Sequence, residues 1–350
     1  MTHPKILGLG TALPARCYPQ DEILALLEPH LDHNPRAGLI FHNAGIDSRY
    51  LSVDGSYYDQ ERTTQARNER YLVEAQRLGE QAIGRALRTS GVERGTIDDL
   101  IVVSCTGIDT PGLDLHLAGT LELSPWLHRA NILGMGCYGA FPGLLRAREA
   151  AAAGRSALLL CVEICSLHFQ PGDSSLENVV SSALFADGAA AVVVAPHDAQ
   201  AGSGQPTPRL VDAITFSDYQ TLDHMAFHLT DHGFRMQLSA YVPKLLAANI
   251  EEFAERLLER SGLTRADVRH WAVHPGSTKI LDYVAERLEL APDALNPSRK
   301  VLRDHGNMSS ATVLFVLDEI QRRGPNPGDY GVMMAFGPGL TMEAALVRWE

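Results

Sequence analysis

The chain has 350 residues, 45% apolar and 21% charged, with 30 Lys+Arg against 42 Asp+Glu and a net charge of −12. That length suits about two domains' worth of core, and the acidic balance argues against a surface built to neutralise phosphates, so no nucleic-acid partner is expected. No apolar run approaches the roughly 18 residues that span a bilayer, the first residues do not read as a signal peptide, and five cysteines are too few and too odd for a disulfide frame; together these point to a reducing cytoplasm and no membrane. In chain order, Asn68–Ser90 predicts a helix closed by Gly91, and LIVVS (Leu100–Ser104) predicts a buried strand. ALLLCV (Ala157–Val162) and AAAVVVA (Ala189–Ala195) predict two more. Alternating helix and strand patterns favour an α/β fold. DAQAGSGQPTP, at 198–208, reads as a linker between residues 1–200 and 209–350.

The two sides of that linker echo one another. VVSCTG at 102–107 is matched by AVHPGS at 272–277. Cys137 stands 32 residues after Cys105, and Asn307 stands 33 after His274, each beside a Gly and before a small-residue helix start. ADGAAAVVV (186–194) is echoed by FGPGLTMEAALV (336–347). The pattern implies a duplicated unit whose paired positions meet across a pseudo-two-fold axis.

Three residues stand out chemically. Cys137, at the start of AFPGLLRAREA, is expected to have its thiol pKa lowered by the helix terminus, which makes it a nucleophile. His274 ends a strand at a Pro-Gly turn, where an imidazole can exchange protons with that thiol. Asn307 offers an amide to a developing oxyanion. Each alone reads equally well as a structural residue; their symmetric placement gives them a joint meaning. His224, His228 and His232 recur every four residues, but a neighbouring Gly and a turn-like Thr-Asp make a surface loop the better reading, and no metal is expected.

GMGCYGAFPGL, SSALFADGAAAVVV, WAVHPGSTKILD, DHGNMSSATVLF and AFGPGLTMEAAL together resemble the type III polyketide synthases, the chalcone-synthase-like branch of the thiolase fold; VEICSLHFQPGD looks closer to bacterial members. The resemblance implies a duplicated αβαβα fold and a triad of Cys137, His274 and Asn307. It implies an iterative decarboxylative condensation of malonyl-CoA onto a starter acyl-CoA, then cyclisation to a resorcinol, pyrone or naphthalene, with no redox cofactor or metal. Phe185 matches a gatekeeper, and Met236 falls where plant members carry a second phenylalanine, so a wider passage is expected. Cavity positions fall at Cys105, Thr106, Cys165 and His168, with Ser309, Gly337 and Pro338 also at the substrate. His168 is bulkier than the family's usual residue there. Thr110, in TGIDTPG, matches a loop that crosses into the partner of a homodimer. The basic CoA patch is thin, with Arg36 kept but Leu39 and Asn43 at other positions, so an acyl carrier protein as starter donor stays open. The open gate leans towards a fatty-acyl starter over malonyl self-priming. A single-condensation ketoacyl synthase is the alternative enzyme, disfavoured by HPGSTKILD and the GPGLT ending; a non-catalytic acyl binder is disfavoured by the triad.

Overall fold

The structure, a computed structural model, describes residues 3–32, 34–200, 204–239 and 241–350, so the middle of the expected linker lies outside the described residues. Along the chain the strands are β1 (Lys5–Ala12), β2 (Cys17–Pro19), β3 (Ser48–Tyr50), β4 (Asp99–Ser104), β5 (His128–Leu133), β6 (Ala157–Ile164), β7 (Asp187–Ala195), β8 (Pro208–Ser217), β9 (Met225–Thr230), β10 (Gly233–Leu238), β11 (Val268–Val273), β12 (Tyr330–Gly337) and β13 (Thr341–Trp349). The α-helices are α1 (Gln20–Leu27), α2 (Ala37–His42), α3 (Thr64–Ser90), α4 (Leu113–Thr120), α5 (Ala140–Ala152), α6 (Leu176–Leu184), α7 (Val242–Glu259), α8 (Thr278–Arg287), α9 (Asn296–His305) and α10 (Thr312–Arg322).

Nine strands form one sheet in the order β11-β12-β13-β8-β1-β7-β6-β4-β5. A single pair, Lys5 opposite Arg209, joins β1 to β8 and divides the sheet into two halves. In the first, β1 runs antiparallel to β7, β7 antiparallel to β6, and β6 parallel to β4. In the second, β8, β13, β12 and β11 repeat that pattern strand for strand. The repeat explains the composition. β6 and β7 are buried on both faces, so ALLLCVEI and DGAAAVVVA are continuous apolar runs rather than alternating ones.

Helices complete five layers. The α10 run TVLFV is buried, and Val313, Leu314 and Val316 share one core with Ile6 and Ala190 of the first half-sheet and Met333 and Val347 of the second. Phe141, Leu144 and Ala147 of α5 join that same core. Outside, α3 covers the first half-sheet and α7 with α8 the second. The α3 helix starts four residues before the expected Asn68, because the Thr63 side chain accepts from the Ala66 N–H; Gly91, at φ +71°, ends it as expected. Gly10 lets α3 lie directly on β1: a Cβ there would stand 2.3 Å from the Ala82 carbonyl oxygen. Among the described residues no helix is long and apolar enough to cross a membrane.

Candidate active site

The duplicated topology decides which residues meet. Cys105 follows β4 and His274 follows β11, equivalent strands of the two halves. Cys137 precedes α5 and Asn307 precedes α10, the two central-layer helices. A parallel bridge between Phe185 and Asn307 then ties the halves together, with the Asn307 N–H donating to Leu184 O (2.9 Å) and the Ala186 N–H to Asn307 O (2.9 Å). As a result Cys137, His274 and Asn307 line one chamber of about 270 Å³, together with Phe185, Phe227, Met236 and Pro338.

Within it, His274 is anchored through its backbone, whose N–H donates to Met334 O at 2.7 Å. Its ring is buried, and among the described residues neither Nδ1 nor Nε2 has a hydrogen-bond partner. Burial pushes the imidazole down to about 3. Asn307 is held by the Ser309 N–H, which donates to Oδ1 at 2.9 Å, and its Nδ2 donates to Gly276 O at 3.4 Å. The holding residue is itself strained: Ser309 has φ +47°, a left-handed conformation rare for a non-glycine residue and frequent at working sites.

The expectation of a lowered thiol pKa at Cys137 is corrected. Burial pushes the thiol up to about 11, although hydrogen bonds with the Ser309 and Asn307 side chains pull it back. Cys137 sits in a 3-10 turn (Gly136–Tyr138) just before α5, and desolvation there outweighs the helix terminus. Burial therefore favours the neutral form of both the thiol and the imidazole.

Beyond the chamber lies an inner cavity of about 60 Å³, lined by Cys105, Thr106, Cys165, His168 and Ser309 among others. Phe185, Phe227 and Met236 line both spaces and separate them. An aromatic side chain other than residue 236 stands at the expected passage. Met236 pairs with Phe227 across the β9–β10 hairpin, and the Phe227 ring meets Phe185 edge to face, centroids 6.0 Å apart at 68°. The aromatic partner comes from the neighbouring strand. A register taken along β10 alone does not reveal it. The Phe185 carbonyl accepts from Arg49 Nη1 at 2.6 Å, a buried guanidinium that also holds Ser182 O. Gly337 lines neither space; it lets β12 end against the Tyr138 ring, which a Cβ would approach to 2.7 Å. Arg36 is exposed and lines neither space. The lysine on the chamber wall is Lys279, which stood in the quoted HPGSTKILD motif.

Glu163 was also legible and passed over, as the one charge inside ALLLCVEI. It is fully buried and accepts from Cys105 N–H (3.0 Å), Thr106 Oγ1 (2.8 Å) and Ser310 Oγ (2.5 Å), and from Cys105 Sγ at 3.4 Å. The three histidines of residues 224–232 lie on and around the β9–β10 hairpin, where His228 bonds Gln237 (3.0 Å) and His232 faces Glu61 (3.4 Å). Among the described residues no group of three His, Cys, Asp or Glu side chains could hold a metal.

Fold and chamber together bring Cys137, His274 and Asn307 to one space between two halves of a duplicated α/β scaffold. Residues 56–198 match the N-terminal domain and 214–349 the C-terminal domain of the chalcone and stilbene synthases, and the chain belongs to that family. It is a type III polyketide synthase of the thiolase fold, an acyltransferase. It is 35% identical over 356 residues to 1,3,6,8-tetrahydroxynaphthalene synthase of Streptomyces peucetius subsp. caesius, covering 98% of this chain and 93% of that one. It is 32% identical over 353 residues to 3,5-dihydroxyphenylacetyl-CoA synthase of Amycolatopsis balhimycina, covering 99% and 93%. The crystal structure of PKS-I from the brown alga Ectocarpus siliculosus superimposes with a TM-score of 0.92 at 30% identity, over 99% of this chain and 98% of the other. The single-condensation ketoacyl synthase is not favoured by these relationships.

Proposed function

We propose that the chain loads a starter acyl-CoA on Cys137 and extends it with malonyl-CoA by decarboxylative condensation. As the Cys137 sulfur attacks the thioester carbon, its proton passes to an imidazole nitrogen of His274, which then protonates the leaving CoA sulfur. A malonyl thioester next places its carbonyl oxygen against His274 and the Asn307 amide. Their N–H groups stabilise the enolate left when the C–C bond to the carboxylate breaks and CO₂ departs. The enolate carbon attacks the acyl carbonyl, the C–S bond to Cys137 breaks, and a ketoacyl-CoA two carbons longer results. Every bond made or broken belongs to the thioesters, so the sequence of steps calls for neither a metal nor a redox cofactor. The carrying observation is a buried imidazole with two unpartnered nitrogens, in a chamber shared with Cys137 and Asn307.

The starter is a short acyl group or malonyl-CoA itself, reversing the lean towards a fatty-acyl chain. The edge-to-face contact between Phe185 and Phe227 at the gate supports this. Related chains are named for compact aromatic products, a tetrahydroxynaphthalene and a dihydroxyphenylacetyl-CoA. CoA rather than a carrier protein delivers the acyl groups, with Lys279 on the chamber wall as a cation for its phosphates. Malonyl-CoA alone, then with acyl-CoAs of graded length, is expected to give a cyclised product without any carrier protein; mass spectrometry reads it. A chain that needs a fatty-acyl or carrier-bound starter would overturn the assignment.

The working unit is a homodimer in the cytoplasm. β5 is the edge strand of the sheet and is exposed along most of its length. Leu133 at its end, Ile108, Trp126 and the Thr110 loop are exposed. An apolar space of about 570 Å³ reaches from that face to Cys105 and Phe227, and a second copy laid along β5 would close it. All five cysteines are free, as a reducing compartment keeps them. Sedimentation at micromolar concentration is expected to show a dimer; monomer alone would contradict this reading.

A further inference from the structure

The β9–β10 hairpin holds Phe227 and Met236 at the gate, yet it pairs only with itself. Most of its residues are at least partly exposed. A two-stranded ribbon is marginal alone, so something must fix where it lies. His168 is placed to do so. Its Nδ1 accepts from the Phe234 N–H at 3.2 Å, and its Nε2 lies 2.7 Å from the Thr106 carbonyl oxygen. The first bond requires Nδ1 to be bare, so the proton sits on Nε2 and is donated to Thr106. Burial favours that neutral ring, pushing the imidazole down to about 4. The ring also packs edge to face on Phe234, centroids 5.0 Å apart. Gly233 makes the approach possible: at φ +93°, a Cβ there would stand 2.9 Å from His168 Nδ1. Other clasps share the task, with Gln170 Nε2 donating to His232 O (3.1 Å), the Gly233 N–H to Thr64 Oγ1 (2.7 Å), the Thr64 N–H to Asp231 O (2.8 Å) and Arg235 pairing with Asp173 (3.1 Å).

We propose that His168 is a positioning residue whose two hydrogen bonds staple the hairpin to the Thr106 turn and so hold Phe227 against Phe185. It governs chain length through the gate, and its bulk as a cavity wall is secondary. This rests on the reading that the growing chain meets that gate. His168→Phe keeps the bulk and loses both bonds; His168→Gln can restore a donor to Thr106 and an acceptor for Phe234. Hydrogen exchange of residues 225–238, measured without substrate, is expected to quicken roughly tenfold in the Phe variant and to stay near the parent rate in the Gln variant. Products from malonyl-CoA should shift in chain length in the Phe variant and return with Gln. In a Phe227→Ala background the Phe substitution should add nothing further. Unchanged exchange in the Phe variant would overturn the staple. Faster exchange with unaltered products would overturn its control of the gate, and would leave the chemistry at Cys137 untouched.

Discussion

Cys105 and His274 occupy the same place in the two halves, the end of an equivalent buried strand, yet their surroundings are opposite. Around Cys105 the polar groups are satisfied: its thiol meets Glu163 at 3.4 Å and Ser309 at 3.3 Å, and its N–H donates to Glu163. Around His274 both ring nitrogens are buried without a partner among the described residues. One strand end is complete as folded; the other keeps its bonding capacity for what enters the chamber. Duplication supplied the two positions, and their chemistry diverged into support and reaction.

The largest effect expected from this division lies at Cys137. Cys137→Ala should lower product formation about 10⁴-fold or more, as loss of a sole nucleophile does. Malonyl-CoA should still lose CO₂ slowly, because the His274 and Asn307 donors remain. Full product formation by this variant, read by mass spectrometry, would remove the covalent step.

The contrast between halves then predicts opposite responses in stability. Glu163→Leu leaves the hydroxyls of Thr106 and Ser310 and the Cys105 N–H without their acceptor, each costing roughly 1–3 kcal/mol. A strongly lowered denaturation midpoint is expected. His274→Leu removes two groups that already lack partners, and should abolish condensation while leaving the midpoint unchanged or raised. Equal losses from both would erase the distinction.

Much of this was legible in the sequence. β6 and β7 announce themselves because strands buried on both faces cannot alternate, and the spacing from Cys105 to Cys137 against His274 to Asn307 records the duplication. What could not be read depends on desolvation and on neighbouring strands. A helix start suggested an acidic thiol at Cys137, but the depth of its burial belongs to the fold. Met236 in register suggested an open gate, whereas Phe227 arrives from across a hairpin. His168 was read as an obstruction, since no motif shows that its nitrogens reach Thr106 and Phe234.

Burial of the thiol and the imidazole gives a third test. With the thiol pushed up to about 11, alkylation of Cys137 by iodoacetamide should climb close to tenfold per pH unit between pH 7 and 10. Peptide mapping separates it from the exposed Cys17. A rate that levels off below pH 7 would show a preformed thiolate–imidazolium pair instead.

The smallest effect follows from the same burial. In the folded chain His274 is held neutral down to about pH 3, whereas in the unfolded chain it takes a proton below about 6.5. Below that pH the unfolded state binds more protons, so stability is complete above about 6.5 and falls as the solution is acidified towards 3. The limiting slope is about 1.4 kcal/mol per unit for one such group. His168, pushed down to about 4, adds a second contribution of the same sign over a narrower window. Acid also acts on carboxylates throughout the chain, so the informative quantity is a difference. Denaturant midpoints from pH 7 to pH 4 should fall less steeply for His274→Gln than for the parent chain. His168→Gln should flatten the curve too, and the two substitutions together should flatten it further, because the rings belong to separate clusters. Cys105 carries no charge change in this range, so Cys105→Ser should run parallel to the parent. If His274→Gln also runs parallel, the ring is solvated or paired in solution, and the contrast between the two strand ends fails.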